Sequence, residues 1–254
     1  MDLMPINTGL FVFVLAAISL GALLKGMTGL GLPMFAVPAL ATLTSVEEAV
    51  MLMIIPGIGA NLWLVAKHWQ HRALLKQHVP FLVSGFLGGL AGTALLLVLD
   101  DRWLKLILAT WLAFYLLQYF LLKNSLGIFR GRGPFAYILG AAAGTIQGAT
   151  GISAQIIAPY YHGRSLAPAA YAFLLTFTFL LLSSAQVSAA LTTELLTPER
   201  LWLGLAALVP TLIFTRWGTS LAGKFSQETF NRLLLLSFCL MEIKLIADFV
   251  WLPS

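Results

Sequence analysis

The sequence predicts an all-α integral membrane protein, a polytopic helical bundle of two inverted-topology repeats with broken or re-entrant helices. Hydrophobic residues make up 59% of the 254 residues and charged residues 10%, and the mean hydropathy is +0.91, which excludes an ordinary soluble domain. The apolar runs are long and Leu-rich, which favours helices over the alternating pattern of a β-barrel. A Gly-x-Thr-Gly-aliphatic motif occurs twice, as GMTGL at 26–30 and GATGI at 148–152, with a shift of 122 residues.

Ten apolar segments predict the helices in chain order. The second and seventh are short or rich in Gly and Pro, so we expect broken or half-membrane helices there. The first contains a retained helix at 10–24, because no positively charged region precedes it. We expect repeats at 1–123 and 134–254, joined by a cytoplasmic linker at 124–133. The ten segments cover 8–25, 28–43, 46–66, 79–99, 102–122, 134–150, 152–163, 166–191, 200–222 and 229–251.

The distribution of charge predicts the orientation. Lys and Arg collect in the loops 67–78 and 123–133, which places both loops in the cytoplasm. This topological role also accounts for the net charge of +5, so no nucleic-acid partner is expected. Alternation then places both termini outside. The acidic residues that mark the outer turns are Glu47, Glu48, Asp100, Asp101, Glu194 and Glu199.

The two breaks predict an anion-binding site. Glycines let a ligand approach the main chain, and the helices that resume after each break present free N–H groups and positive dipole ends. One cation and neutral donors suit a small oxyanion of low charge. Asn61, with its 122-shifted equivalent Ser183, and Gln155 could complete the shell. The site residues expected at the breaks are Lys25, Gly26, Thr28, Gly29, Gln147, Gly148, Thr150 and Gly151.

Each of these polar residues also has a purely structural interpretation. The hydroxyls of Thr28 and Thr150 could bond back to their own helices, Lys25 could extend to the cytoplasmic interface, and Gln155 could join two helices. For the threonines and Gln155 taken singly, the two interpretations carry similar weight. Their symmetric placement around paired glycines favours binding.

Charged residues in the last helices are candidates for coupling or gating. Glu242, Lys244 and Arg216 fall inside apolar segments, where ionisable groups are costly, and Glu242 could carry a coupling proton. Pairing of Glu242 with a nearby cation is the alternative. Cys239 is the single cysteine, and its apolar surroundings indicate a role in core packing. We expect the histidines 68, 71 and 78 to belong to a solvated loop without a metal site. Neither a metal nor another cofactor is expected.

No enzymatic motif is visible. The sequence lacks a Gly-x-Ser-x-Gly elbow, a His-Glu-x-x-His pair and a phosphate-binding Gly-x-x-x-x-Gly-Lys, so we expect neither an enzyme nor a nucleotide-driven pump. Inverted repeats with matching breaks are typical of secondary transporters that work by alternating access. An anion channel, a non-transporting assembly subunit and an intramembrane enzyme remain alternatives. A homo-oligomer is left open.

Four features carry a resemblance to a known family. They are the stretch from Gly26 to Pro38, its copy from Gly148 to Pro159, the Gly-rich helix 85–92 and the turn 100–102. Together they resemble the TauE/SafE sulfite exporter family over essentially the whole chain. The resemblance implies transport of small sulfur-containing anions, such as sulfite, thiosulfate or sulfoacetate, across a bacterial cytoplasmic membrane. The chain departs from the pattern at 153–155, where Ser-Ala-Gln replaces the glycine and proline of the first copy.

Overall fold

The computed structural model describes residues 8–28, 31–121, 133–162, 164, 166–221 and 227–251. All regular structure in this part of the chain is helical, which confirms the predicted fold class, and its ten α-helices match the ten apolar segments in order. A 3₁₀ helix, Trp69–His78, connects the third and fourth. The helices are α1 Thr8–Thr28, α2 Leu32–Ala41, α3 Val46–Lys67, α4 Val79–Val98, α5 Asp101–Leu121, α6 Phe135–Thr150, α7 Ala154–His162, α8 Pro168–Leu191, α9 Pro198–Leu221 and α10 Gln227–Trp251.

Four stretches of the described helices are long and apolar enough to cross a membrane. They are Val46–Lys67, Trp69–Val98, Pro168–Leu191 and Pro198–Leu221. At 1.5 Å per residue, the 22 residues of α3 reach about 33 Å, the thickness of a bilayer core. The short helix α2 has 10 residues and α7 has 9, so each reaches about half that distance. The two predicted half-membrane helices therefore exist as separate short helices.

The two chain breaks lie at matching positions. Helix α1 ends at Thr28 and α2 begins at Leu32, while α6 ends at Thr150 and α7 begins at Ala154, so both ends and both starts are 122 residues apart. Each break contains a glycine in a conformation that other residues rarely adopt: Gly31 has φ 122° and Gly151 has φ 70°.

Gly26 and Gly148 lie inside helices rather than in the breaks, which corrects their expected position, while their role in binding stays a prediction. A Cβ at Gly26 would lie 2.8 Å from the Cα of Gly218 in α9, and a Cβ at Gly148 would lie 2.6 Å from the carbonyl oxygen of Gly89 in α4. Small residues let helix backbones approach closely in membranes. These glycines therefore permit helix contacts.

The closest helix pairs join the two halves of the chain. Helix α4 packs along α6, and α1 packs along α9. Under the 122-residue shift α4 corresponds to α9 and α6 to α1, so the two pairs are equivalent. Helices α3 and α8 pack together between them, and α5 packs on α10. These correspondences agree with two repeats, although the repeat boundaries stay predictions and the linker 124–133 lies outside the described residues except for Gly133.

Candidate functional site

A small cavity lies where the two breaks meet α3 and α8. Its volume is about 30 Å³, room for roughly two water molecules. The first residues of α2 and α7 line it together with side chains from the middle of α3 and α8, so the walls come from both halves of the chain. The lining residues are Lys25, Gly31, Pro33, Met34, Val50, Met53, Ile54, Gly57, Asn61, Gln147, Gly151, Ile152, Ser153, Ala154, Phe179, Ser183 and Gln186.

Lys25 brings its amino group to the cavity wall. Its side chain is 2% exposed, and its Nζ lies 5.3 Å from the centroid of the Phe179 ring, within range of a cation–π contact. Within the described part of the chain no carboxylate forms a salt bridge with Lys25. Burying an ammonium group without a counter-ion is costly. A negatively charged ligand in the cavity would offset this cost.

A network of neutral groups surrounds Gln147, the residue equivalent to Lys25. Ser153 donates its hydroxyl to Oε1 of Gln147 at 2.7 Å. Nε2 of Gln147 donates to Oε1 of Gln186 at 3.4 Å, and Nε2 of Gln186 donates back to the main-chain oxygen of Gln147 at 2.9 Å. The second break is therefore held by α8 through hydrogen bonds.

Asn61 offers an amide to the cavity from α3. The side chain is 3% exposed, and its Oδ1 finds no hydrogen-bond partner in the described residues. A buried acceptor without a partner is destabilising, so an occupant of the cavity that donates a hydrogen bond to Oδ1, such as a water molecule, would recover that energy, while the amide N–H groups of Asn61 are the atoms that can donate to an anion. Ser183, 122 residues later, lines the cavity from α8.

The starts of α2 and α7 both lie at the cavity. The first N–H groups of a helix have no acceptor within the helix and form the positive end of its dipole. Gly31 and Met34 bring the start of α2 to the cavity, and Ser153 and Ala154 bring the start of α7. The arrangement can bind a small anion between two helix N-termini, one ammonium group and one amide.

Several of the predicted site residues do not line the cavity. Gly26 and Gly148 support helix packing, as described above. The Thr150 hydroxyl donates to the main-chain oxygen of Ile146 at 2.7 Å and accepts from the N–H of Ile152 at 3.2 Å, so it bonds back to its own helix end.

Gln155 faces α5, because the indole N–H of Trp111 donates to its Oε1 at 3.0 Å. This contact matches the alternative in which Gln155 joins two helices. Thr28 is the last residue of α1, with its side chain outside the description, and Gly29 is outside the described residues.

The coupling candidates also lie away from the cavity wall. Glu242 is half-buried in α10, and its Oε2 makes no hydrogen bond within the described residues. Lys244 is exposed and pairs with Asp248 one turn later. Arg216 is exposed near the end of α9. Of the three, Glu242 alone keeps the features expected of a proton carrier, and its role stays a prediction.

His78 does not belong to a solvated loop, which corrects the expectation for this histidine. Its side chain is 2% exposed and packs against Tyr160 and Tyr161 at the end of α7. His78 directly precedes α4, where the chain turns into the bundle, so it is covered by α7. His68 and His71 remain partly exposed.

Sequence reasoning missed three polar or aromatic groups of the site, namely Ser153, Phe179 and Gln186. The last two are contributed by α8, and their positions relative to Ser183 are four residues before and three after, one face of a helix. The sequence already paired Ser183 with Asn61 through the 122-residue shift. The helical spacing of Phe179 and Gln186 around Ser183 could therefore have identified both residues.

A family model described as Sulfite exporter TauE/SafE matches residues 13–245, which include both breaks and nearly all of the ten helices. The chain belongs to this family. TauE/SafE proteins are membrane transporters of sulfur-containing anions, so this chain is a membrane protein of a transporter family. No curated protein and no solved structure matches the chain.

Proposed function

We propose that the protein is a secondary transporter that carries a small sulfur-containing anion, such as sulfite, thiosulfate or an organosulfonate like sulfoacetate, across a bacterial cytoplasmic membrane. The observation that carries this proposal is the buried ammonium group of Lys25, which lines the cavity without a carboxylate partner in the described part of the molecule. A bound anion would supply the missing charge.

Alternating access is the mechanism we propose for this site. Breaks at matching positions, two helix N-termini at one cavity and the paired helix contacts all agree with inverted repeats that enclose a substrate near the middle of the membrane. The cavity is lined by nearly fully buried side chains, which supports a transporter with a closed site over an open channel. Coupling to a proton through Glu242 and an outward position of both termini are parts of the proposal.

Thermal unfolding of the purified protein in detergent tests this function. A ligand that binds only the folded state at about 100 times its Kd adds about 2.7 kcal/mol to the free energy of unfolding. We expect sulfite, thiosulfate or sulfoacetate to raise the Tm by several degrees, while phosphate and acetate have no effect. Lys25→Gln should weaken this binding by about tenfold or more, because a hydrogen bond to a charged group contributes about 1.5–3 kcal/mol.

Lys76→Gln is the matched control, because Lys76 is an exposed lysine of the 3₁₀ helix far from the cavity wall. It should keep the full stabilisation. A panel in which no sulfur anion raises the Tm, or in which Lys25→Gln responds like the native protein, would overturn the proposed site.

A further inference from the structure

The side chains that line the cavity are mostly buried, so a ligand from either side of the membrane has to pass the packed helix ends to reach it. Its polar side chains are almost fully buried, and its volume leaves no room for a sulfonate group with its hydration shell. Helix α3 shows where the two ends are, since its lining residues run from Val50 to Asn61, its first turn carries Glu47 and Glu48, and Lys67 ends it. Whatever closes each end must lie beyond the cavity along these helices.

A cluster of three charges, which we name the carboxylate closure, lies at the end where α3 begins. It consists of Arg200, Glu47 and Glu48. The guanidinium of Arg200 at the start of α9 is 2.7 Å from Oε1 of Glu47 and 2.7 Å from Oε2 of Glu48. Glu47 precedes the lining residues Val50 and Ile54 by three and seven positions, so it extends the same face of α3. The closure therefore joins α9 to the cavity face of α3.

A cluster of four rings, which we name the aromatic closure, lies toward the opposite end. It consists of His78, Phe81, Tyr160 and Tyr161. Phe81 of α4 stacks on Tyr160 with ring centroids 3.9 Å apart, and Nδ1 of His78 is 3.3 Å from the Tyr160 hydroxyl. The Tyr161 hydroxyl is 2.7 Å from Oγ1 of Thr178 in α8.

Helix α7 connects the aromatic closure to the site. It begins at the cavity with Ala154, and the six residues from there to Tyr160 span about 9 Å. The tyrosines therefore lie between the cavity and the end of the molecule where α3 ends and α4 begins. The rings join α4 to α7, just as the carboxylate closure joins α9 to α3.

The two closures are related by the internal shift of the chain. Arg200 follows His78 by 122 residues, and the helices that they precede or begin, α9 and α4, are equivalent. The same position of the repeat thus provides a contact at each end. At the end where α3 begins it is Arg200, which pairs with carboxylates, and at the opposite end it is His78, which packs against tyrosines. The chemistry differs, whereas the place in the repeat is the same.

We propose that Arg200 and His78 are the paired gating residues of this protein, each closing one end of the cavity, and that the two closures open in turn. The inference rests on the proposed alternating-access function and adds the contacts that must break in each half of the cycle. Opening of the carboxylate closure separates α9 from α3, while opening of the aromatic closure separates α4 from α7. The site is then exposed to one side of the membrane at a time.

A cysteine in the cavity reports which end is open. In a Cys239→Ser background, Ser183→Cys places a thiol on the cavity wall, and a membrane-impermeant anionic methanethiosulfonate is applied to intact cells or to inside-out vesicles. Arg200→Gln should speed labelling about tenfold or more from one side, because loss of a partner from a buried ion pair leaves the remaining charges uncompensated. His78→Gln should speed labelling from the other side. The predicted topology assigns Arg200 to the outside.

Arg102→Gln and His71→Gln are the matched controls. Arg102 lies at the start of α5 and donates to the main-chain oxygen of Phe249, and His71 lies in the 3₁₀ helix outside the aromatic closure. Both should label like the parent. If Arg200→Gln does not reach the membrane, Glu48→Gln provides the same test, and Tyr160→Leu does so for the other end.

Labelling that speeds from the same side in both variants, or that matches the controls, would overturn the paired closures. The readout measures access to the cavity and needs no knowledge of the substrate. Opposite-sided labelling together with no stabilisation by any sulfur anion would therefore refute the proposed substrate and leave the closures standing. Stabilisation by a sulfur anion without sided labelling would refute the closures and leave the proposed substrate standing.

Discussion

The two breaks occupy equivalent positions in the chain but hold their polar groups differently. At the first, Lys25 lines the cavity with its Nζ 5.3 Å from the centroid of the Phe179 ring, and no carboxylate of the described residues forms a salt bridge with it. At the second, Gln147 is bonded to Ser153 and exchanges hydrogen bonds with Gln186. One break therefore carries a lysine without a carboxylate partner in the described residues, while the polar groups of the other are bonded to each other.

The difference indicates that the two copies of the repeat contribute different interactions to the candidate site. Gly31 in the first copy is replaced by Ser153 in the second, 122 residues later, and that serine supplies the hydroxyl that fixes Gln147. A free charge attracts a ligand at a cost in stability, whereas a satisfied network adds rigidity. We interpret the first break as the attracting side of the site and the second as its fixed support.

Removal of the side chain at the two equivalent positions should have opposite effects on stability. Gln147→Leu leaves the hydroxyl of Ser153 and Oε1 of Gln186 without partners, and should lower the free energy of unfolding by about 3 kcal/mol, since each orphaned buried group costs about 1–3 kcal/mol. Lys25→Leu removes a costly buried charge and should leave stability unchanged or raised. Thermal unfolding in detergent without ligand measures both. If Lys25→Leu lowered the free energy of unfolding more than Gln147→Leu, the first break rather than the second would be the one that stabilises the fold.

The glycines of the two breaks should differ in what can replace them. Gly151 has φ 70°, the left-handed region that asparagine tolerates, so Gly151→Ala should cost about 1–2 kcal/mol and Gly151→Asn clearly less. Gly31 has φ 122°, where a side chain of either kind is strained, and a Cβ there would lie 3.0 Å from that of Leu24. Gly31→Asn should therefore give no rescue relative to Gly31→Ala. Equal rescue at both positions in thermal unfolding would contradict the backbone difference.

The smallest effect is expected at Thr150. Thr150→Val removes the bonds to Ile146 and Ile152 and should cost about 1 kcal/mol of stability, the lower end of the range for two internal hydrogen bonds at about 0.5–1.5 kcal/mol each. Because the hydroxyl is used by its own helix, the Kd for the stabilising anion should stay unchanged. Titration of the anion in the unfolding assay separates the two quantities. A weakened Kd with unchanged stability would restore Thr150 to the binding site.

The repeat motif and the hydropathy made the scaffold predictable from the sequence. The 122-residue shift found in two five-residue motifs matches the ends of α1 and α6 and the starts of α2 and α7. It also selected Lys25, Gln147 and Gly151, which line the cavity. These residues could be found because they lie within or directly before the repeated motifs, which also mark the chain breaks.

The remaining site residues depend on how distant helices pack. Gln186 and Phe179 reach the cavity because α8 packs beside the second break, a contact that no local pattern encodes. Gln155 follows the break closely, yet the turn of α7 directs it to Trp111 on α5. For the same reason Gly148 was assigned to the ligand and not to helix packing, since the sequence shows a small residue without showing what approaches it.

The exchange of helices between the halves has a consequence for biosynthesis. The face of α1 that carries Gly26 is shaped to fit α9, and α9 begins at Pro198, 170 residues after α1 ends at Thr28. At a synthesis rate of about 5–20 residues per second, α1 spends roughly 10–30 s in the membrane before its partner is made. During that time lipid or the insertion machinery must cover a helix face that the finished protein reserves for its own second half.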